Sequence, residues 1–257
     1  MNTQQNLVAF KTIIVKEVMR FIRIWVQTLV PPAIMMTLYF VIFGNLIGSR
    51  IGEMDGFSYI EYIIPGLIMM SVITNSYSNV VAAFFNAKMY GHVQEMLTSP
   101  IPNHVILLGY ICGGMIRGIL VGIIVTIVSL FFSELSIKHP LITLGILLMT
   151  SMLFSIAGFI NAVYAKSFDD ISIVPTFILT PMTYLGGVFY SINLLSDFWQ
   201  TVSLANPVLY MVNGFRYGIL GESDINPWVS FGLIAAFTIA LYYVAYQLLK
   251  RGIGIRS

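Results

Sequence analysis

Charge is what this chain has least of. Only 9% of its 257 residues are Asp, Glu, Lys or Arg, whereas soluble domains carry roughly a quarter. No water-facing surface can be assembled from that supply, and 58% hydrophobic residues with a mean hydropathy of +0.87 exclude a globular cytosolic enzyme and a disordered chain alike. Nucleic-acid binding goes with them, because the 13 Lys and Arg residues form no basic tract that could track phosphates. Cysteine is nearly absent. With Cys112 alone, neither an intramolecular disulfide nor a cysteine metal site can form. Catalytic signatures are missing too. There is no G-x-x-x-x-G-K-[ST] loop to cradle ATP and no H-E-x-x-H, and His92, His104 and His139 are scattered through loops.

What the chain does have is long charge-free apolar runs. A hydrocarbon layer of about 30 Å needs about 20 helical residues, and a charge at its centre costs at least about 2.5 kcal/mol. Six spans are predicted, near residues 25–47, 60–85, 104–131, 140–164, 170–189 and 228–249, giving an all-α polytopic membrane protein made of one domain over 1–257. The segment 191–226 is apolar but cut by Asp197, Asn206-Pro207 and Arg216. It reads as a pair of short re-entrant or interfacial helices, tolerable at membrane depth only under a cover of protein or water. An even number of spans puts both termini on one side, together with Lys11, Lys16, Arg20, Arg23, Lys88, Lys166, Lys250, Arg251 and Arg256. Arg50, Lys138 and Arg216 fall on the other, so the termini are expected in the cytoplasm.

Residues 1–24 are no cleavable signal, since Lys11, Lys16, Arg20 and Arg23 interrupt any apolar core. Lys16, Arg20, Arg23 and Gln27 recur at helical steps while Phe10, Ile13, Ile14, Phe21 and Trp25 lie elsewhere. The pattern predicts an amphipathic helix on the inner leaflet, either a plain anchor or a surface that also meets a cytoplasmic partner.

Polar residues inside the spans narrow the chemistry. The span cores hold no Asp, Glu or His, which disfavours an intramembrane protease, a lipid hydrolase and a proton-coupled carrier. Ser71, Thr74, Asn75, Ser78 and Asn79 share one helical face. Such a stripe must face protein or water, either hydrogen-bonding between helices or lining a pathway. Gly114, Gly118 and Gly122 repeat every four residues, a spacing that admits a close neighbour, whether another helix of the chain or a second copy. Arg117 lies about 18 Å deep with no acid in the span cores to pair with. It either bonds backbone carbonyls and water or meets an anionic group on a substrate. Asp169 and Asp170 cap the fifth span, which Pro175 and Pro181 should bend. The loop 86–103 places Lys88, His92 and Glu95 at helical steps, predicting a short surface helix that is either a solvated connection or a docking element.

The segments NPVLYMVNGFRYGILGE (206–222), LTPMTYLGGVFYSINLL (179–195) and QEMLTSPIP (94–102) resemble type-2 ATP-binding cassette transporter permeases over nearly the whole chain. Pro207, Tyr210 and Arg216 match the family pattern, while Val208 is a slightly unusual residue after the proline. The resemblance implies six spans per subunit, a dimer, an exporter, and two separate ATPase subunits that bind ATP and Mg, with no cofactor in this chain. It makes 86–103 a coupling-helix loop with Glu95, Met96, Leu97 and Pro100 as ATPase contacts, and 1–24 a connecting helix. On that basis Ser71, Thr74, Asn75, Ser78, Asn79 and Arg117 would line the path, and the outer helices around Phe198, Trp199, Tyr210 and Arg216 would act as a lid. The setting expected is a bacterial inner membrane. A structural or regulatory membrane subunit and an ion-coupled carrier are the alternatives. Substrate identity stays open among drugs, lipids and glycans.

Overall fold

Prolines, glycines and capping side chains decide where the helices start and break. The computed structural model describes residues 2–254; Arg256, assigned above to the terminal side, lies outside them. Helix α1 (Thr3–Arg23) opens on a reciprocal cap in which the Asn2 side chain accepts from Thr3 N–H while Asn2 N–H donates to Gln5 Oε1. Its buried line is Ile13, Glu17 and Phe21, so an acid occupies the middle of the inward face.

The first long apolar segment, Trp25–Ile51, runs through α2 (Trp25–Thr28), α3 (Val30–Tyr39), a π-helical stretch at Phe40–Ile47 and α4 (Gly48–Ile51). Pro31 and Pro32 stand in the first turn of α3, where a missing N–H is tolerated. The carbonyls of Gln27 and Thr28, four residues back, therefore lose their usual donors. A hairpin of β1 (Glu53–Met54) and β2 (Phe57–Ser58) follows, with Asp55 and Gly56 at φ 50° and 80°, the paired positive values that a two-residue turn of this hand requires.

Helix α5 (Tyr59–Met89) begins at a second reciprocal cap, between Ser58 and Glu61, and at 31 residues is about 46 Å long. Because it continues to Met89, the surface helix of the following loop is only α6 (His92–Thr98), and Lys88 belongs to α5. Then come α7 (Asn103–Ser129), α8 (Pro140–Tyr164), α9 (Asp170–Val174), a π-helical turn at Pro175–Leu179 and α10 (Thr180–Tyr184). The chain finishes with α11 (Asp197–Leu204), α12 (Pro207–Leu220) and α13 (Pro227–Arg251).

Among the described residues, five helical segments are long and apolar enough to cross a membrane: Trp25–Ile51, α5, α7, α8 and α13. The segment expected as a further span near 170–189 consists of three five-residue pieces, because Pro175 and Pro181 each remove an N–H from the ladder.

Helix α5 is the axis of the molecule. Of its most apolar stretch 78% is buried, against 12% for Trp25–Ile51 and 22% for α13. The glycine repeat of α7 explains part of that. Gly114 and Gly118 abut Ser76, and Gly118 and Gly122 abut Val72, so the close neighbour is α5 of the same chain. A methyl group on Gly118 would stand 3.1 Å from Val72 O. From the other side Gly158 of α8 is pressed on Tyr77, where a methyl group would stand 3.2 Å from the carbonyl carbon. Phe84 of α5 sits between Tyr110 of α7, edge to face, and the tilted ring of Phe159 of α8, with ring centroids 5.3 and 4.2 Å away.

Candidate functional site

Three polar constellations stand out in this apolar body. The first is a cavity of about 340 Å³, open on the flank of the bundle, between Trp25–Ile51, α5 and α7. Ser71, Thr74 and Asn75 line it from α5, Arg117 from α7, and Thr28, Pro31, Pro32 and Met35 from the first segment. The α5 hydroxyls are satisfied along their own helix: Ser71 Oγ donates to Leu67 O at 3.0 Å and Thr74 Oγ1 to Met70 O at 2.9 Å. Asn75 Nδ2 donates to Ser71 O at 3.0 Å, which leaves its Oδ1 to accept from Arg117 Nη2 at 3.3 Å. The same nitrogen reaches Thr28 O at 3.4 Å. That carbonyl is one of the two orphaned by the prolines, so the break in the first segment supplies a partner for the half-buried guanidinium. Both contacts lie at or beyond the long end of the hydrogen-bond range, and Arg117 Nε is buried without any partner.

Ser78 and Asn79 do not join this cavity. The stripe from Ser71 to Asn79 climbs about 12 Å along α5, and its far end meets α1 instead. There Arg20 Nη2 donates to Asn79 O at 3.1 Å and to Asn79 Oδ1 at 2.8 Å, while Arg20 Nε donates to Glu17 Oε2 at 3.1 Å. Arg20, expected on the exposed basic face, is therefore a bridge between α1 and α5; Lys16 and Arg23 remain exposed. Glu17 had no place in the sequence pattern. Its position four residues from both Ile13 and Phe21 was the available signal.

The second constellation lies at the α6 end of α5. Val93 is fully buried and anchors α6. Met96 and Leu97 are half-buried on the core, and Glu95 and Pro100 are exposed. Glu95 lies 3.6 Å from His92 Nδ1. Between α6 and α1 runs an open groove of about 440 Å³ with Lys16, Glu95 and Met96 on its walls, and Pro100 lines an adjacent hollow beside Gln4 and Gln5. Nearby, Lys88 Nζ donates to the carbonyls of Ala162, Val163 and Ala165, tying α5 to the C-terminus of α8 where carbonyls lack helical partners.

The third lies at the opposite end. Phe198 and Trp199 are exposed on α11, their rings 5.3 Å apart edge to face. Tyr210 Oη donates to Leu204 O at 2.8 Å, holding α12 to α11. Arg216 does not stand with these aromatics. It is 1% exposed, its Nη2 donates to Gly187 O at 2.6 Å, its guanidinium lies 3.9 Å from the Tyr62 ring centroid, and Asp224 Oδ2 is 4.0 Å from Nη1. Asp224 in turn accepts from Ser191 Oγ at 2.7 Å, Asn193 Nδ2 at 3.2 Å and Ile192 N–H at 3.3 Å, and its own N–H donates to Asn213 Oδ1 at 3.0 Å. This knot ties the loop after α12 to the segment before α11. Asp224 and Tyr62 were invisible in the sequence because the residues they serve are distant along the chain.

Five helical segments long and apolar enough to cross a membrane, packed round a common axis, define a multi-pass membrane protein. The family model described as ABC-2 type transporter matches residues 8–220, and the chain belongs to that family. Inner membrane transport permease YadH of Escherichia coli (strain K12) is 57% identical over 250 residues, 97% of this chain and 98% of that protein. Nodulation protein J of Rhizobium leguminosarum bv. viciae is 23% identical over 209 residues, 81% of each chain.

Proposed function

We propose that the chain is the membrane subunit of an ATP-driven exporter in a bacterial inner membrane, working as two copies with two separate ATPase subunits that bind the ATP and Mg. The observation that carries this is the cavity that gathers Ser71, Thr74, Asn75 and Arg117 beneath Pro31 and Pro32 in a chain of the ABC-2 family. A half-buried guanidinium beside an amide in an apolar helix bundle is costly to keep unless something polar passes or rests there. Both termini lie in the cytoplasm, α9 to α10 makes a broken sixth crossing, and α11 with α12 dips into the outer face as a lid. The thin cover over Trp25–Ile51 leaves an apolar flank for the second copy and for lipid. Glu95, Met96, Leu97 and Pro100, with the adjoining groove of α1, receive the ATPase. ATP drives the cycle only by binding the two conformations unequally.

The test is assembly and coupling. After the permease is solubilised with its ATPase, Glu95→Lys and Leu97→Asp should each reduce co-purification and abolish permease-stimulated ATP hydrolysis, while Gly232→Ala, on α13 with nothing within 4 Å of the added carbon, should not. Unaltered assembly in both α6 variants would refute the docking surface, and ATP hydrolysis by the purified chain alone would refute the subunit role.

A further inference from the structure

We infer that the cavity beside Arg117 takes an anionic amphiphile, an apolar chain ending in a phosphate- or carboxylate-type head, with the head on the guanidinium and the chain along Pro31, Met35 and Met70. The inference rests on the pathway proposed above and names what that pathway would accept.

Two observations carry it. The first is the state of the arginine. A guanidinium offers five N–H donors in a fixed fork suited to planar or tetrahedral oxyanions. Here one nitrogen makes two long contacts, 3.3 Å to Asn75 Oδ1 and 3.4 Å to Thr28 O, and Nε is buried with no partner. Neither acceptor carries a charge. No Asp or Glu lines the cavity, and the buried acid of α1, Glu17, is already bonded to Arg20. A cation half-buried against apolar walls, its Nε cut off from any partner and no counter-ion at hand, is costly, and an incoming anion relieves that cost. The second observation is the shape of the lining. The polar groups of α5 and α7 face Gln27 and Thr28 at one end of the first segment, and the rest of that wall is proline, methionine and tyrosine. Volume is adequate, since about 340 Å³ lies in the ordinary range of small-molecule sites, roughly 300–1,000 Å³. A free inorganic anion would leave the apolar wall unused, and a neutral chain would leave Arg117 unpaired.

Native mass spectrometry of the full-length chain from dodecyl maltoside, a neutral detergent, tests this with three probes: decyl phosphate, inorganic phosphate, and phosphatidylglycerol mixed with phosphatidylcholine. Wild type should retain decyl phosphate or phosphatidylglycerol in preference to phosphatidylcholine, and Arg117→Gln should weaken that retention by about tenfold, the effect of losing a charge-assisted hydrogen bond. Arg117→Lys should restore part of it. Met35→Trp covers the case in which Arg117→Gln folds poorly. Met35 is 52% exposed and tolerates the larger ring, which narrows the apolar wall without touching Arg117, and retention should fall again. Arg117-dependent retention of phosphatidylglycerol marks a membrane lipid as the source, and of decyl phosphate alone a soluble amphiphile; either supports the inference. Equal retention by wild type and Arg117→Gln, or inorganic phosphate displacing decyl phosphate at equal concentration, would overturn it. Arg117-dependent binding without ATP-dependent movement in proteoliposomes would leave this site standing and refute the pathway.

Discussion

Asp224→Ala should unfasten the outer end of the protein, and the cost can be worked from the geometry. Arg216 is 1% exposed and Asp224 faces it at 4.0 Å, a separation at which unit charges attract by about 4 kcal/mol at an effective dielectric near 20. Removing one partner of a buried pair costs about 3–5 kcal/mol, because the other charge is stranded. Ser191 Oγ, Asn193 Nδ2 and Ile192 N–H lose their acceptor at the same time. At about 2–4 °C per kcal/mol for a chain of this size, the melting temperature should fall by roughly 6–20 °C. The lone Cys112, half-buried in α7, reports unfolding through a thiol-reactive fluorophore without engineering. Asp224→Asn keeps an acceptor for Ser191 but no charge, so its loss should be smaller. The decisive variant is the double change Arg216→Met with Asp224→Ala. If a stranded cation is the cause, the double variant melts above Asp224→Ala. A melting temperature unchanged in Asp224→Ala, or a double variant whose loss is the sum of the two single losses, would refute the reasoning.

Gly158→Ala should lower the melting temperature by an amount equivalent to about 1–3 kcal/mol of overpacking, since its new methyl group meets the Tyr77 backbone and not a movable side chain. Gly232→Ala, with nothing within 4 Å of the added carbon, is the matched control in the same assay and should show no loss. Lys88→Met should free the C-terminus of α8, whose Ala162, Val163 and Ala165 carbonyls share one ammonium. Faster trypsin cleavage after Lys166 in inside-out vesicles would record it, and an unchanged rate would show that the contact holds nothing in place.

How much of this could be read beforehand follows from what a sequence encodes. Charge-free length placed the five long apolar segments, because burying a charge in hydrocarbon is costly whatever the neighbours. The helical repeat put Ser71, Thr74 and Asn75 on one face, and the cavity does collect them. It also put Asn79 there, although Asn79 is held by Arg20 of α1. A periodic pattern fixes direction around one helix axis but not which neighbour stands at each height. Glu17 was overlooked for the same reason, since its partner Arg20 also fits a basic exposed stripe with Lys16 and Arg23. Pro175 and Pro181 announced a break near the middle of 170–189, but the π-helical turn that absorbs it depends on local packing. The glycine repeat of α7 gave a close contact without naming its owner, and only the fold supplies Val72 and Ser76.

The cations drawn toward the interior share a logic that ties these misses together. Arg117 reaches Thr28 O, whose helical donor Pro32 cannot supply. Lys88 gathers the carbonyls at the end of α8. Arg216 reaches Gly187 O, just past the end of α10. Each stands where the backbone leaves a carbonyl without its N–H, the one place in a low-dielectric interior where a cation offsets a debt already incurred. For Lys88, three carbonyls on one ammonium complete the arrangement, and Arg216 has the carboxylate of Asp224 at 4.0 Å although its Nε and Nη1 are buried without a hydrogen bond. Arg117 has two long neutral contacts and a buried Nε with none. Arg216 also borders a cavity, of about 410 Å³, but Asp55, Glu222 and Asp224 stand on its walls, whereas no acid lines the hollow at Arg117, so Arg117 is the guanidinium that faces open space without a counter-ion.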